Sequence, residues 1–309
     1  GAYNGLTFGQ MLKLGGEPFS MTVAGLRLAK KANAVAELHG KTARRMWGEV
    51  AGAAEIIGIT NGVFPGTWQD QRLANAYAQD GDLWIPHQQA KREMIAEINR
   101  RNGVQLDEVL TFGFARRAAP YKRGNLIFSK PEIIGEYLEK GKLQIVLAGK
   151  AHPNDLTGKD IVAEMYRMSK RYPKSVVFLQ DYDMKIGRLL TRGCDVWLNN
   201  PRRPQEASGT SGMKAAMNGV LNFSVLDGWW PEGCIHGVNG WQIGDGYEGK
   251  DQDAKDRDAL YRVLQTEVIP TYYQKREKWL KMMRASIDMS HQQFSSARML
   301  KDYFDKLYC

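Results

Sequence analysis

From residue 109 onward, short apolar runs alternate with amphipathic stretches. This alternation constrains the fold more than any other feature of the chain. VLTFGFA (109–115), LQIVLAG (143–149), SVVFLQ (175–180), CDVWLNN (194–200) and VLNFSVLDG (220–228) are apolar almost throughout. Between them lie helical patterns over 121–140, 158–172, 184–193 and 211–219. A strand covered on both faces reads as a continuous apolar run, whereas a half-exposed strand alternates. The pattern therefore predicts an α/β chain with a Rossmann-like, doubly wound parallel sheet, which binds ligands beyond the carboxyl ends of its strands.

The flanking segments are more helical. Residues 20–50 space their apolar residues by three and four, which predicts one long helix capped by Ser20 or Thr22. IIGIT (56–60) reads as a strand ending in an Asn61–Gly62 turn. Residues 68–102 read as mostly polar helix, and 251–309 as a charged helical segment with no strand left to cover. No internal repeat is visible.

Bulk properties exclude several classes. The 309 residues suit one large domain with additions, and their 43% hydrophobic and 25% charged content is that of a globular chain. No apolar run reaches the roughly 20 residues of a membrane span. The chain starts at Gly1, which suggests a processed chain or the tail end of a longer protein. Cys194, Cys234 and Cys309 are too scattered for a disulfide framework or a zinc site, which favours a reducing, cytoplasmic setting. The net charge of +9 is spread along the chain rather than gathered in a block. It fits a solvated basic surface or a site for phosphate-bearing small molecules, and no nucleic-acid motif accompanies it.

The polar motifs fall just after the predicted strands. ARRAAPYKR brings Arg116, Arg117, Lys122 and Arg123; AGKAHPND brings Lys150 and His152; QDYD brings Tyr182; NNPRRPQEASGTSGMK brings Glu206 and Lys214. In a parallel sheet these four loops share one edge. The Gly/Ser-rich stretch would open a helix whose backbone N–H groups at Thr210, Ser211 and Gly212 face an anion. Each piece alone has a plainer reading: a Gly-rich loop as turn chemistry, an arginine cluster as a solvated face, His39 and His152 as structural. Their convergence on one edge is what points to a phosphate site.

TFGFARRAAPYKR, LAGKAHPND, FLQDYDM, DVWLNNPRRPQEASGTSGMKAAMNGVLNFSVLDGWW and ITNGVFPGTW together resemble the α-glucan (glycogen/starch) phosphorylase family, in its shorter bacterial and archaeal branch. The similarity runs from about residue 20 to about residue 250. It implies the second domain of a GT-B fold. On that reading 1–66 is a remnant of the first domain, 67–285 is the Rossmann-like domain, and 286–309 is a C-terminal helix returning to the first domain. Most of the first domain would then be missing.

The resemblance also implies roles. Lys214 matches the lysine that forms a Schiff base with pyridoxal 5'-phosphate. Arg117 and Lys122 match residues that bind substrate phosphate, and Arg116 a basic residue near the cofactor phosphate. Thr210, Ser211 and Gly212 match the cofactor-phosphate loop, and Trp68 and Tyr182 match aromatic neighbours of the pyridoxal ring. Asn61, Val35, Glu206, Ala207, Ser208 and Gly209 match the pocket of the transferred glucose. The implied reaction moves glucose from an α-1,4-glucan end to phosphate, giving glucose 1-phosphate. The implied partners are glucan, phosphate, and the missing first domain or further copies of the chain, with neither nucleic acid nor membrane.

Synthases of the same fold carry a second glutamate eight residues after the first. Here that position is Lys214, which argues against a nucleotide-sugar transferase. An isolated half that binds only cofactor or anion is the other alternative. The sequence departs from the family at Ala119, where animal and plant enzymes have histidine, at Pro120, and at Asp183, where the larger enzymes have arginine.

Overall fold

A computed structural model of the chain describes residues 5–308; Cys309 lies outside them. The N-terminal part begins with two short helices, α1 (Phe8–Gly15) and α2 (Met21–Leu28), the second capped by Ser20, whose hydroxyl accepts from Val23 N. A long helix over 20–50 is not what forms. The chain extends at β1 (Ala32–Ala34), then forms α3 (Glu37–Trp47) and β2 (Ile56–Gly58). β1 and β2 pair in parallel, Ala32 with Ile56 and Ala34 with Gly58. Ala-Asn-Ala carries no strand signal of its own. A partner 24 residues away supplies the ladder and overrides the local helical spacing.

The expected Asn61–Gly62 turn is also absent. Val63 N donates to Phe294 O and Ser296 N donates to Val63 O, so this segment lies against the C-terminal part of the chain. A Cβ at Gly62 would stand 2.2 Å from Ser295 O, so glycine is required for that approach. Leu26, Ala34, Ala43 and Ile56 form the small core of this region.

The chain continues through α4 (Pro65–Trp68), α5 (Gln71–Ala78) and α6 (Trp84–Asn102), as the polar helical pattern predicts. The main sheet follows. Its strands are β3 (Thr111–Ala115), β4 (Gln144–Ala148), β5 (Val176–Leu179), β6 (Val196–Asn199), β7 (Leu221–Val225) and β8 (Gly240–Ile243). They lie in the order β5-β4-β3-β6-β7-β8, every pairing parallel. Numbered within the sheet this is 3-2-1-4-5-6, the dinucleotide-fold order with its switch point between β3 and β6.

Five strands match the apolar runs. β8, Gly-Trp-Gln-Ile, does not stand out as a run, and it completes the sheet. The connecting helices are α7 (Pro131–Glu139), α8 (Leu156–Arg171), α9 (Met184–Gly193), α10 (Thr210–Ala216) and α11 (Trp230–Gly233). The helix expected over 121–140 is reduced to α7. Before it come two 3-10 turns, Pro120–Lys122 and Leu126–Phe128, with Arg123 between them in the left-handed region at φ +48°.

Both faces of the sheet are covered, which explains why its strands are apolar throughout. Along β4, Ile145 and Leu147 face one core while Val146 and Ala148 face the other. The first core includes Phe112, Phe223 and Trp241, packed by Ile134 and by residues of the C-terminal helices. The second holds Trp197 against Met94 and Ile98 of α6 and Leu190 of α9. The C-terminal helices are α12 (Gln252–Val263), α13 (Ile269–Gln274), α14 (Arg276–Gln293) and α15 (Ser296–Lys306). α15 lies beside the small sheet: Asn33 Nδ2 donates to Tyr303 Oη, and Arg298 donates to Thr60 O and Asn61 O.

Candidate active site

The loops after β3, β6 and β7 meet at the carboxyl edge of the sheet, around Glu206. Arg116 continues β3, its N–H donating to Ala148 O. Its Nη2 lies 2.8 Å from Glu206 Oε2, and its Nη1 donates to Asn199 Oδ1. Lys122 is presented by the 3-10 turn that Pro120 opens, and its Nζ reaches the same Glu206 Oε2 at 2.6 Å. Pro120 thus fits here, since a first turn position needs no N–H donor. Arg116, Lys122 and Glu206 are all buried. Burial lowers the Lys122 ammonium to about 8, with Arg116 adding to the fall and Glu206 opposing it.

Behind Glu206 stands Asp227, fully buried. Its Oδ2 accepts from Glu206 N at 2.9 Å and its Oδ1 from Gly228 N at 2.8 Å. Burial pushes Asp227 up to about 7; the two N–H groups oppose this and the Glu206 charge adds to it. Trp229 N donates to Ser208 O at 2.9 Å. Gly228 takes φ +58°, and a Cβ there would fall 2.2 Å from Ser208 O. The turn after β7 therefore closes onto residues 206–208 only with glycine at its second position.

Lys214 stands one turn inside α10, half-buried, with its amine 3.6 Å from the centre of the Trp68 ring. Burial lowers its pKa, favouring the neutral amine that condenses with carbonyl groups. Asn218 holds this pair together. Its Nδ2 donates to both Trp68 O and Lys214 O, and its Oδ1 accepts from Asp70 N. Gly209 caps α10 in the left-handed region without a side-chain bond. Gly212 N donates to Gly209 O, so of the three N–H groups expected to face an anion this one is spent inside the loop. The Ser211 hydroxyl accepts from Trp197 Nε1. Ser208 Oγ is buried and without a partner among the described residues. Tyr182 is partly buried, and burial raises its phenol while Arg116 lowers it.

Other expected residues fall elsewhere. Arg123 turns inward: it donates to Asn200 O and Pro201 O and pairs with Asp256 and Asp253, so it anchors the loop after β6 and adds nothing to the anion-facing charge. Arg117 and Lys150 are exposed, as is His152, whose Nδ1 accepts from Asn154 N in a local turn. Asp183 caps α9, accepting from Ile186 N. Its acid is thus accounted for by helix capping. His39 Nδ1 accepts from Val35 N, and burial lowers its pKa, consistent with a neutral structural imidazole.

Val35 and Asn61 are adjacent, Asn61 N donating to Val35 O at the carboxyl ends of β1 and β2. Glu232, on α11, ties this region to the main sheet. It accepts from Thr60 Oγ1 at 2.6 Å and from Glu37 N at 3.0 Å, capping α3 from outside. Asp227, Asn218 and Glu232 were missed in the sequence. The first lies in a Leu-Asp-Gly turn that reads only as a turn.

The residues present suit an aldehyde that carries a phosphate. There is a half-buried lysine amine against the Trp68 face, the hydroxyls of Thr210 and Ser211 on the same helix, and the buried cations Arg116 and Lys122 at the same edge of the sheet. No described helix is long and apolar enough to cross a membrane.

Residues 70–230 match the carbohydrate phosphorylase family. The chain is 40% identical to a maltodextrin phosphorylase of Thermococcus litoralis, over 98% of this chain and 42% of that protein. It is 38% identical to a glycogen phosphorylase of Aquifex aeolicus, over 98% of this chain and 52% of that protein. A glycogen phosphorylase of Mycobacterium tuberculosis is 34% identical over 98% of this chain and 42% of its own length. The chain spans about half the length of these curated relatives. On the match across the sheet and the site loops, the chain belongs to the carbohydrate phosphorylase family.

Proposed function

We propose that this chain is the cofactor- and phosphate-holding part of an α-1,4-glucan phosphorylase, which transfers glucose from a glucan end to inorganic phosphate. The reading rests on one observation above all. Two buried cations, Arg116 and Lys122, converge on Glu206, and eight residues later Lys214 holds its amine against Trp68. The names of the relatives agree with it.

The cofactor is pyridoxal 5'-phosphate, which when bound supplies a phosphate group able to exchange a proton at neutral pH. Lys214 would hold its carbonyl group, and Trp68 and Tyr182 are the aromatic residues that would take its ring. Thr210, Ser211 and Arg116 would take its phosphate, while the Gly212 N–H, bonded to Gly209 O, shapes the loop. Lys122 and Arg117 bring the substrate phosphate to the sugar, and their charge stabilises it in a site of low polarity. Glu206 accepts a hydrogen bond from a sugar hydroxyl. Ala207, Ser208 and Gly209, with Val35 and Asn61 from the small sheet, shape the glucose pocket. Ser208 Oγ, buried and without a partner among the described residues, is a ready hydroxyl ligand. Positioning of both reactants needs the rest of the cleft, so the chain alone turns over glucan slowly or not at all. A setting inside the cell fits its three scattered cysteines.

Reconstitution with pyridoxal phosphate tests the reading. The chain gains the visible absorbance of a lysine-bound pyridoxal, and Lys214→Ala does not. No absorbance in the folded wild-type chain sinks the assignment.

A further inference from the structure

The carboxylate of Glu206 is held in place by more than its own ion pairs. Its single oxygen Oε2 serves both Arg116 Nη2 and Lys122 Nζ, so a small movement of the backbone at residue 206 loses both contacts. That backbone is fixed from the loop after β7. Asp227 Oδ2 accepts from Glu206 N, and two residues further Trp229 N donates to Ser208 O, so the two bonds bracket Ala207. An aspartate that merely finishes a turn bonds the next backbone N–H, as Asp227 Oδ1 does with Gly228 N. Its second oxygen reaches back 21 residues to Glu206. A fully buried carboxyl group is costly unless its hydrogen bonds are specific.

We propose that Asp227 is a positioning residue, which holds the Glu206 backbone so that the Glu206 carboxylate lies between Arg116 and Lys122 and thereby sets how strongly that cation pair takes an anion. The physical reason is competition. Arg116 and Lys122 have one carboxylate as their shared counter-ion, and an incoming phosphate needs the same donors. A firmly placed Glu206 weakens phosphate binding until the carboxylate turns to another partner, and a loosened one competes less. Asp227 touches neither cation in a hydrogen bond, so its influence on anion affinity passes through Glu206.

This rests on the reading of Arg116 and Lys122 as an anion site, and the test separates the two. Inorganic phosphate is titrated into the chain by calorimetry, for the wild type, Glu206→Gln, Asp227→Asn and the double variant. Glu206→Gln is expected to raise phosphate affinity roughly tenfold by removing the competing charge. Asp227→Asn, whose amide cannot accept from both N–H groups, is expected to raise it several-fold. Added to Glu206→Gln, it changes affinity less than about twofold, because two residues acting through one contact are not additive.

Equal effects of Asp227→Asn in both backgrounds overturn the proposal, since a general structural role acts in both. An unchanged affinity in Glu206→Gln defeats the anion-site reading instead. Amide hydrogen exchange then still decides the positioning role. Faster exchange confined to Glu206 and Gly228 in Asp227→Asn supports it, and unchanged exchange at Glu206 overturns it. Should Asp227→Asn not fold, Asp227→Glu keeps the charge while displacing it by one methylene, and the same comparisons apply.

Discussion

The two edges of the main sheet each bury a cluster of charges, and the clusters are built differently. At the amino edge, Lys91 is completely buried and fills all three of its donors. Its Nζ reaches Asp195 Oδ2 at 2.5 Å, Val109 O at 2.6 Å and Tyr272 Oη at 3.0 Å. Asp195 also accepts from Thr111 N and meets His87 Nε2 at 3.0 Å. Burial pushes the Asp195 carboxyl up, but Lys91 and His87 outweigh it and hold it below its ordinary value. At the carboxyl edge two cations share one glutamate oxygen, Lys122 is drawn down to about 8, and Asp227 is pushed up to about 7. The amino-edge carboxylate is held by more favourable charge than it needs, so its cluster staples α6, α13 and the sheet. The carboxyl-edge groups are held near the point of changing state, which suits ligand exchange and proton movement.

The largest predicted effect breaks the amino edge. Asp195→Ala leaves Lys91 as an uncompensated buried charge and costs about 3–5 kcal/mol of stability in denaturant unfolding. A cost below 1 kcal/mol would show that this cluster staples nothing. Next comes Gly228→Ala. It strains the φ +58° turn and crowds Ser208 O, for an expected loss of about 2 kcal/mol with the amino-edge cluster intact. An alanine variant as stable as wild type would show that the turn after β7 closes onto 206–208 without needing glycine.

A smaller effect is read against pH. The folded chain holds a proton on Asp227 up to about 7, whereas the unfolded chain releases it at the ordinary carboxylate value. Between those values the folded state binds more protons, so stability declines as pH rises through that window. Asp227→Asn removes this part of the decline. Thermal melts at a series of pH values check it, and an identical slope in the variant counts against a raised Asp227.

The comparison also explains what the sequence could disclose. The sheet was legible because strands covered on both faces must be apolar at every position, as Ile145, Val146, Leu147 and Ala148 are. β1 was not, because Ala-Asn-Ala pairs only through a distant partner. β8 was not, because Gly and Gln dilute its pattern. Charge type singled out residues 116–123, but it could not say that Arg123 turns inward toward Asp256 while Lys122 turns to Glu206. The Glu206–Lys214 spacing was readable since both lie in one stretch. Asp227 and Asn218 were not, since beside a local bond each reaches a segment 21 or more residues away.

The central claim, that the carboxyl edge is a phosphate site of a phosphorylase rather than a nucleotide-sugar site, is tested most directly by calorimetric titration of the pyridoxal-loaded chain. Inorganic phosphate is predicted to bind saturably at neutral pH, roughly tenfold or more weakly in Lys122→Ala. Its binding weakens as pH rises through about 8, where Lys122 loses its charge. A nucleotide sugar is predicted not to bind. Saturable binding of the nucleotide sugar without phosphate binding, or phosphate affinity indifferent to Lys122→Ala, would contradict the account.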